Sequence, residues 1–134
     1  MKAKSGVVIL GGGMAGACLA SLLARRGAVP ASAITLVEAR LPDRPQAGGA
    51  VDLRVSAISR ATQRILTVCG AWESIAAGPI CAYERMIVWD EAGRAGEAGS
   101  IEFDCAEIGQ PNLGYIVENR RLQWALLEQA RLAG

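Results

Sequence analysis

The chain has 134 residues, 51% hydrophobic and 20% charged, a globular composition that excludes a disordered polymer. With 14 Lys and Arg against 13 Asp and Glu, the net charge is +1, so the basic footprint of a nucleic-acid binder is absent. There is no histidine, which excludes Ser-His-Asp and Cys-His nucleophiles, a His proton shuttle and any His-bearing zinc site.

The opening run from Val7 to Ala24 carries no charge and follows Lys2 and Lys4, so hydropathy alone would make it a membrane span or a signal peptide. Its interior argues otherwise. Gly11-Gly12-Gly13 would weaken a spanning helix, and the run divides into two patterns. Ser5 to Leu10 is a short β-branched stretch of the kind found in a fully buried parallel strand. Met14 to Arg26 has Ala15, Cys18, Leu19, Leu22 and Leu23 at helical spacing, with Gly27 as the stop.

Between strand and helix, Gly11-Gly12-Gly13-Met14-Ala15-Gly16 satisfies GxGxxG, a weak signal alone but placed here where a strand leads in and a helix leads out. Gly11 would permit the sharp turn, Gly13 the approach of a pyrophosphate, and Gly16 close helix–strand packing. Free N–H groups at the helix start would hold the phosphates. A second strand, Ala33 to Glu38, follows, and Glu38 at its end could accept hydrogen bonds from an adenosine ribose. A 2′-phosphate there would be repelled, which disfavours NADP in this site. FAD and NAD are not separated by these residues.

Pro42 to Gly49 is a loop by its Pro and Gly content. Asp52 to Val55 then enters a helix capped by Ser56, with Ile58, Ala61, Ile65, Val68 and Cys69 on one face and Gly70 at its end. Arg54 falls beside the presumed nucleotide crevice. Arg85 to Glu91 and Ile101 to Cys105 alternate and predict two antiparallel strands with one wet face, joined by a Gly-rich connection. Glu102 and Asp104 lie on that polar face. Tyr115 to Glu118 is a short strand, and Asn119 caps a last helix with Leu122, Ala125, Leu126 and Ala130 on one side. Cys18, Cys69, Cys81 and Cys105 are 51, 12 and 24 residues apart, a spacing without CxxC that fits reduced thiols in the cytoplasm better than a disulfide framework or a metal site.

Four segments together resemble one family: Val7 to Gly16, Asp52 to Ser59, Gly70-Ala71-Trp72 with Met86 to Asp90, and Leu113 to Arg120. Their order and spacing are similar to the start of the ubiquinone-biosynthesis hydroxylases, FAD-dependent aromatic monooxygenases related to para-hydroxybenzoate hydroxylase. The resemblance implies an α/β fold: an incomplete Rossmann-like FAD-binding domain from residues 1–79 and 112–134, and part of an antiparallel substrate-domain sheet from 80–111. It implies FAD contacts from Gly11, Gly13, Met14, Ala15, Gly16, Glu38, Ala39, Arg54, Val55, Ser56, Asn119, Arg120 and Gln123, with no metal. NAD(P)H would reduce the FAD, and one atom of O2 would enter a phenolic, polyprenylated substrate. Such a substrate implies peripheral association with the inner membrane or a multi-enzyme complex. The resemblance further implies an amino-terminal portion of a longer fold, not a competent hydroxylase alone. An NAD-dependent dehydrogenase domain and a non-catalytic interaction protein are the alternatives.

Overall fold

The computed structural model describes residues 6–27, 29–46 and 48–133. Ser5, Ala47 and Gly134, assigned above to the first strand, the Pro-Gly loop and the end of the last helix, lie outside the described residues, as do Lys2 and Lys4.

The β-branched run Val7–Leu10 is strand β1, and it pairs in parallel with β2, Ile34–Val37, residue for residue. Helix α1, Met14–Arg25, makes the crossover between them. Ile9 is buried, whereas Val8 and Leu10 are 64% and 81% exposed. The fully buried strand expected from sequence is therefore corrected to an alternating one, because β1 has a partner on one edge and a helix on one face. In α1 the buried side chains are Ala17, Ala20 and Ser21, while Ala15 and Leu19 are exposed. Helix α4, Asn119–Leu132, packs against α1, and small side chains let the two backbones approach. That contact, not the leucine spacing, chooses the face.

Asp52 to Val55 leads into a strand instead of a helix. Val55–Ser59 forms β3, which pairs antiparallel with β7, Gly114–Glu118, so that Ile58 lies opposite Tyr115 and Val55 opposite Glu118. Helix α2, Arg60–Val68, begins only after it, and its N-cap is Ser59, whose Oγ accepts the Thr62 N–H at 3.2 Å. Ser56 is thus a strand residue. On α2, Leu66 is buried, whereas Ile65 and Val68 are exposed. Gly114 explains how tightly β3 and β7 meet, since a Cβ there would fall inside the radius of the Ile58 carbonyl oxygen.

After the short helix α3, Trp72–Ala76, strand β4, Ile80–Tyr83, pairs with the other edge of β7. The sheet order is β3-β7-β4. Two further strands, β5 (Arg85–Val88) and β6 (Ile101–Asp104), form a separate antiparallel ribbon, as the alternation predicts, although β5 stops before Trp89. The core lies where α1, α2, α3 and α4 close over the β3-β7-β4 sheet, around Ile58, Leu66, Cys69, Ile75, Val117 and Leu126. Trp72 packs its ring 5.0 Å from that of Tyr115 at its margin. No helix among the described residues is long and apolar enough to cross a membrane.

Candidate functional site

The site is built around the turn between β1 and α1. Gly11 has φ +100°, a left-handed backbone value that side chains resist, and its N–H donates to the Val37 carbonyl at 2.8 Å. Gly16 packs against the start of the same turn, and a Cβ there would overlap the Gly11 carbonyl oxygen. Gly13 is the N-cap of α1 in extended conformation, and a Cβ added to it would meet nothing within 4 Å. Helix α1 has no side-chain cap and no acidic residue in its first turn. The helix start therefore offers N–H donors and a positive dipole end toward open space.

Gly12 is the buried centre of the turn. Its N–H donates to Glu38 Oε2 at 2.6 Å, and its carbonyl accepts from Gln123 Nε2 of α4 at 2.9 Å. Glu38 Oε1 also accepts the Arg40 N–H at 3.0 Å. These backbone donors, Arg40 first and Gly12 next, hold the Glu38 carboxyl below its usual range, with the Ala39 N–H adding to them. The carboxylate thus stands charged and oriented at the end of β2, beside the helix start.

The second wall comes from the approach to β3 and the start of α4. The Arg54 carbonyl accepts the Asn119 N–H at 2.9 Å, and the Arg54 N–H donates to Asp52 Oδ1 at 3.1 Å. The Arg54 side chain is exposed. Asn119 is the first residue of α4 and not its cap; Glu118 holds the cap position without a side-chain bond to the helix. The Asn119 Oδ1 instead accepts the Ser56 hydroxyl at 2.6 Å, tying β3 to α4. Asparagine has two uses at a helix start, and here Ser56, brought close by the β3–β7 pairing, takes its oxygen. Arg120 Nε lies 4.0 Å from Asp52 Oδ2, and this atom is buried without a hydrogen-bond partner among the described residues.

Met14, Ala15 and Ser56 line one wholly apolar cavity of about 300 Å³ with Cys18, Ile58 and Leu122. Val55 opens β3 at its edge and is 44% exposed. All thirteen residues singled out from sequence therefore fall on α1's start, β2's end, β3's approach or α4's first turns.

Three features escaped the sequence reading. Glu118, 2% exposed, accepts the Asp52 N–H on one oxygen at 2.8 Å and Arg121 Nε on the other at 2.6 Å. Their i,i+3 spacing on the last helix was a usable signal. Gly12 emerged as the hub because it sits at the unnamed second position of the motif. Cys18 and Cys69 meet with sulfurs 3.6 Å apart, and burial pushes the Cys18 thiol up to about 11, with the neighbouring Cys69 adding to the effect. Nothing in a 51-residue separation announces that contact. All four cysteines are free.

This arrangement has the fold of known oxygenases and hydroxylases. The chain superposes on part of aklavinone-11 hydroxylase, solved with FAD and aklavinone, with a TM-score of 0.56 at 22% identity, covering 98% of this chain and 24% of that one. It likewise superposes on the peptidyl tryptophan dihydroxylase QhpG, with a TM-score of 0.51 at 20% identity, covering 98% and 24%.

In sequence the chain is similar to part of several ubiquinone-biosynthesis hydroxylases. It is 38% identical over 120 residues to 3-demethoxyubiquinol 3-hydroxylase of Escherichia coli, covering 90% of this chain and 28% of the relative. It is 34% identical over 133 residues to the mitochondrial ubiquinone biosynthesis monooxygenase COQ6 of Xenopus tropicalis, covering 94% and 26%. It is also 34% identical over 124 residues to ubiquinone hydroxylase UbiL of Rhodospirillum rubrum, covering 90% and 26%. The chain spans about a quarter of the length of the curated relatives it matches. No family model matches it.

Proposed function

We propose that the chain forms the FAD-binding start of a monooxygenase that hydroxylates a polyprenylated phenol with NAD(P)H and O2. One observation carries the cofactor assignment. The uncapped start of α1 opens at Gly13 directly beside the fixed Glu38 carboxylate. Phosphate oxygens fit the N–H donors, and ribose hydroxyls fit the carboxylate. The Arg120 guanidinium, whose side chain is 38% exposed, supplies further donors on the opposite wall. The residues present therefore fit FAD.

Bound FAD would supply the oxidation chemistry. The protein groups do the rest. Gly13, Met14, Ala15 and Gly16 present backbone to the pyrophosphate, and Glu38 with Ala39 receives the ribose. Arg54, Val55, Ser56, Asn119, Arg120 and Gln123 form the facing wall. Residues 1–79 and 112–134 make a partial Rossmann-like unit, and residues 80–111 contribute to a substrate-facing sheet, with β4 as the strand that joins the two. The small-molecule partner is an aromatic compound, and a polyprenyl tail would bring the protein to the periphery of the inner membrane or into a multi-enzyme complex.

Titration of the purified chain with FAD and with NAD+, followed by flavin fluorescence and calorimetry, tests the assignment. FAD binding that is lost in Gly13→Leu is the expected result. Binding of NAD+ without FAD would transfer the site to the dehydrogenase reading, and binding of neither overturns the dinucleotide assignment.

A further inference from the structure

The three successive glycines at positions 11 to 13 make the most flexible backbone in the site, yet an anion site needs its N–H groups aimed before the ligand arrives. Four consecutive peptide groups show how the aim is kept. The Gly11 N–H is held by the Val37 carbonyl, and the Gly12 N–H by Glu38. The Gly13 carbonyl accepts the Ala17 N–H at 2.9 Å. Each of these three bonds comes from within the β1–α1–β2 unit.

The remaining peptide group joins Gly12 to Gly13. Among the described residues its carbonyl is held by Gln123 alone, which reaches in from the second turn of α4 across 111 positions of sequence. The peptide is trans, so its carbonyl and its N–H point in opposite directions. The carbonyl points into the protein at Gln123. The N–H, which belongs to Gly13, therefore points away from Gln123, at a residue that is exposed. With glycine on both sides, the peptide could rotate at little steric cost if the carbonyl were released.

Resting on the dinucleotide assignment above, we propose that Gln123 is a positioning residue that aims the Gly13 N–H at a phosphate of the bound dinucleotide by holding the carbonyl of the shared peptide group. The Gln123 bond also polarises the peptide, which strengthens the N–H as a donor to an anion. Helix α4 thereby completes a phosphate site whose recognisable motif lies wholly in the first strand and helix.

The test compares the wild-type chain with Gln123→Leu, which keeps the bulk and removes the donor, and Gln123→Glu, which keeps the shape. FAD, ADP and adenosine are titrated against each by calorimetry and by the amide spectrum of Gly13. Gln123→Leu is expected to weaken FAD and ADP alike by about tenfold, the worth of one hydrogen bond to a charged group, while adenosine binding is unchanged. Gln123→Glu should match that loss at neutral pH and recover toward wild type as acid protonates the new carboxyl, whereas the Leu variant stays weak at every pH.

Equal affinity of wild type and Gln123→Leu for ADP overturns the inference. So does an equal loss for ADP and adenosine, since a general loosening of the fold would spare neither. If the wild type binds neither FAD nor ADP, the dinucleotide assignment fails first and this inference falls with it.

Discussion

The glycine turn and the β5–β6 ribbon carry opposite kinds of unused bonding capacity. In the turn, the inward-facing backbone is paired to Val37, Glu38, Gln123 and Ala17, and the groups left over are N–H donors facing outward. In the ribbon, Arg85 pairs with both Glu102 and Asp104 on one face, so the polar side is satisfied. Its other face carries Met86, Val88, Ile101 and Phe103, between 41% and 59% exposed. A site is recognised by what remains unpaired. The turn presents donors suited to an anion, and the ribbon presents an exposed apolar face.

Substituting Gly16 by Ala should break the comparison most severely, because the new Cβ would overlap the Gly11 carbonyl oxygen and crowd the Ile9 side chain. Urea unfolding should show a loss of about 3 kcal/mol, at the upper end for an overpacked position, and ADP binding should disappear with it. An equivalent glycine in the ribbon's connection, Gly93 to Ala, meets the Asp90 carbonyl at 3.4 Å, an ordinary contact. It should change stability little.

The next test sets one ion pair against another. Glu118 is 2% exposed and holds both Arg121 and the Asp52 N–H, whereas Arg85 is 62% exposed. Glu118→Leu leaves a half-buried guanidinium and the Asp52 N–H without their acceptor, and should cost about 3 kcal/mol. Arg85→Ala should cost less than about 1 kcal/mol, and that cost should vanish in high salt. Comparable losses in the two variants would remove the distinction between the regions.

The smallest effect concerns acid. Because the Glu38 carboxyl is lowered from its ordinary value of 4.5, its contribution to stability is complete above that value and drains as pH falls through the lowered folded value. Glu38→Gln lacks this contribution at every pH. The difference in urea midpoint between wild type and variant should therefore be constant near neutrality and shrink below about pH 4.5. A constant difference down to pH 2 would show that the Gly12 and Arg40 bonds do not favour the ionised form.

The parts of this fold that were legible in sequence are those with short-range signals. The β1–turn–α1–β2 unit announces itself through glycine positions and a change of period, and the ribbon through strict alternation. The misreadings share a cause. Ser56 and Asn119 are both residues that cap helices in isolation, and both were assigned as caps. They are instead bound to each other, because Val55–Ser59 pairs with a strand that begins 55 residues after it ends. On α1 the approach of α4 buries Ala17, Ala20 and Ser21, while Cys18 and Leu22 of the helical-spacing set pack against the core and Leu19 stays exposed. Local propensity yields wherever a distant partner offers better burial. In the site, residue types were readable, but the division of labour between Gly12, Glu38 and Gln123 depends on contacts across most of the chain.

The double grip of Glu118 on Asp52 and Arg121, together with the Asn119 N–H on the Arg54 carbonyl, fixes the strand side of the loop that returns from β2. Glu38, anchored to Gly12, fixes the other side. Both ends of that loop are thus set, and Arg121 also donates to the Gln46 carbonyl at 3.3 Å in its middle. Closing a longer loop between fixed ends costs only about 0.6 kcal/mol for each doubling of length. The exposed residues 48–50 are therefore the place where this fold can accept inserted segments and diverge in length while the cofactor walls stay in register.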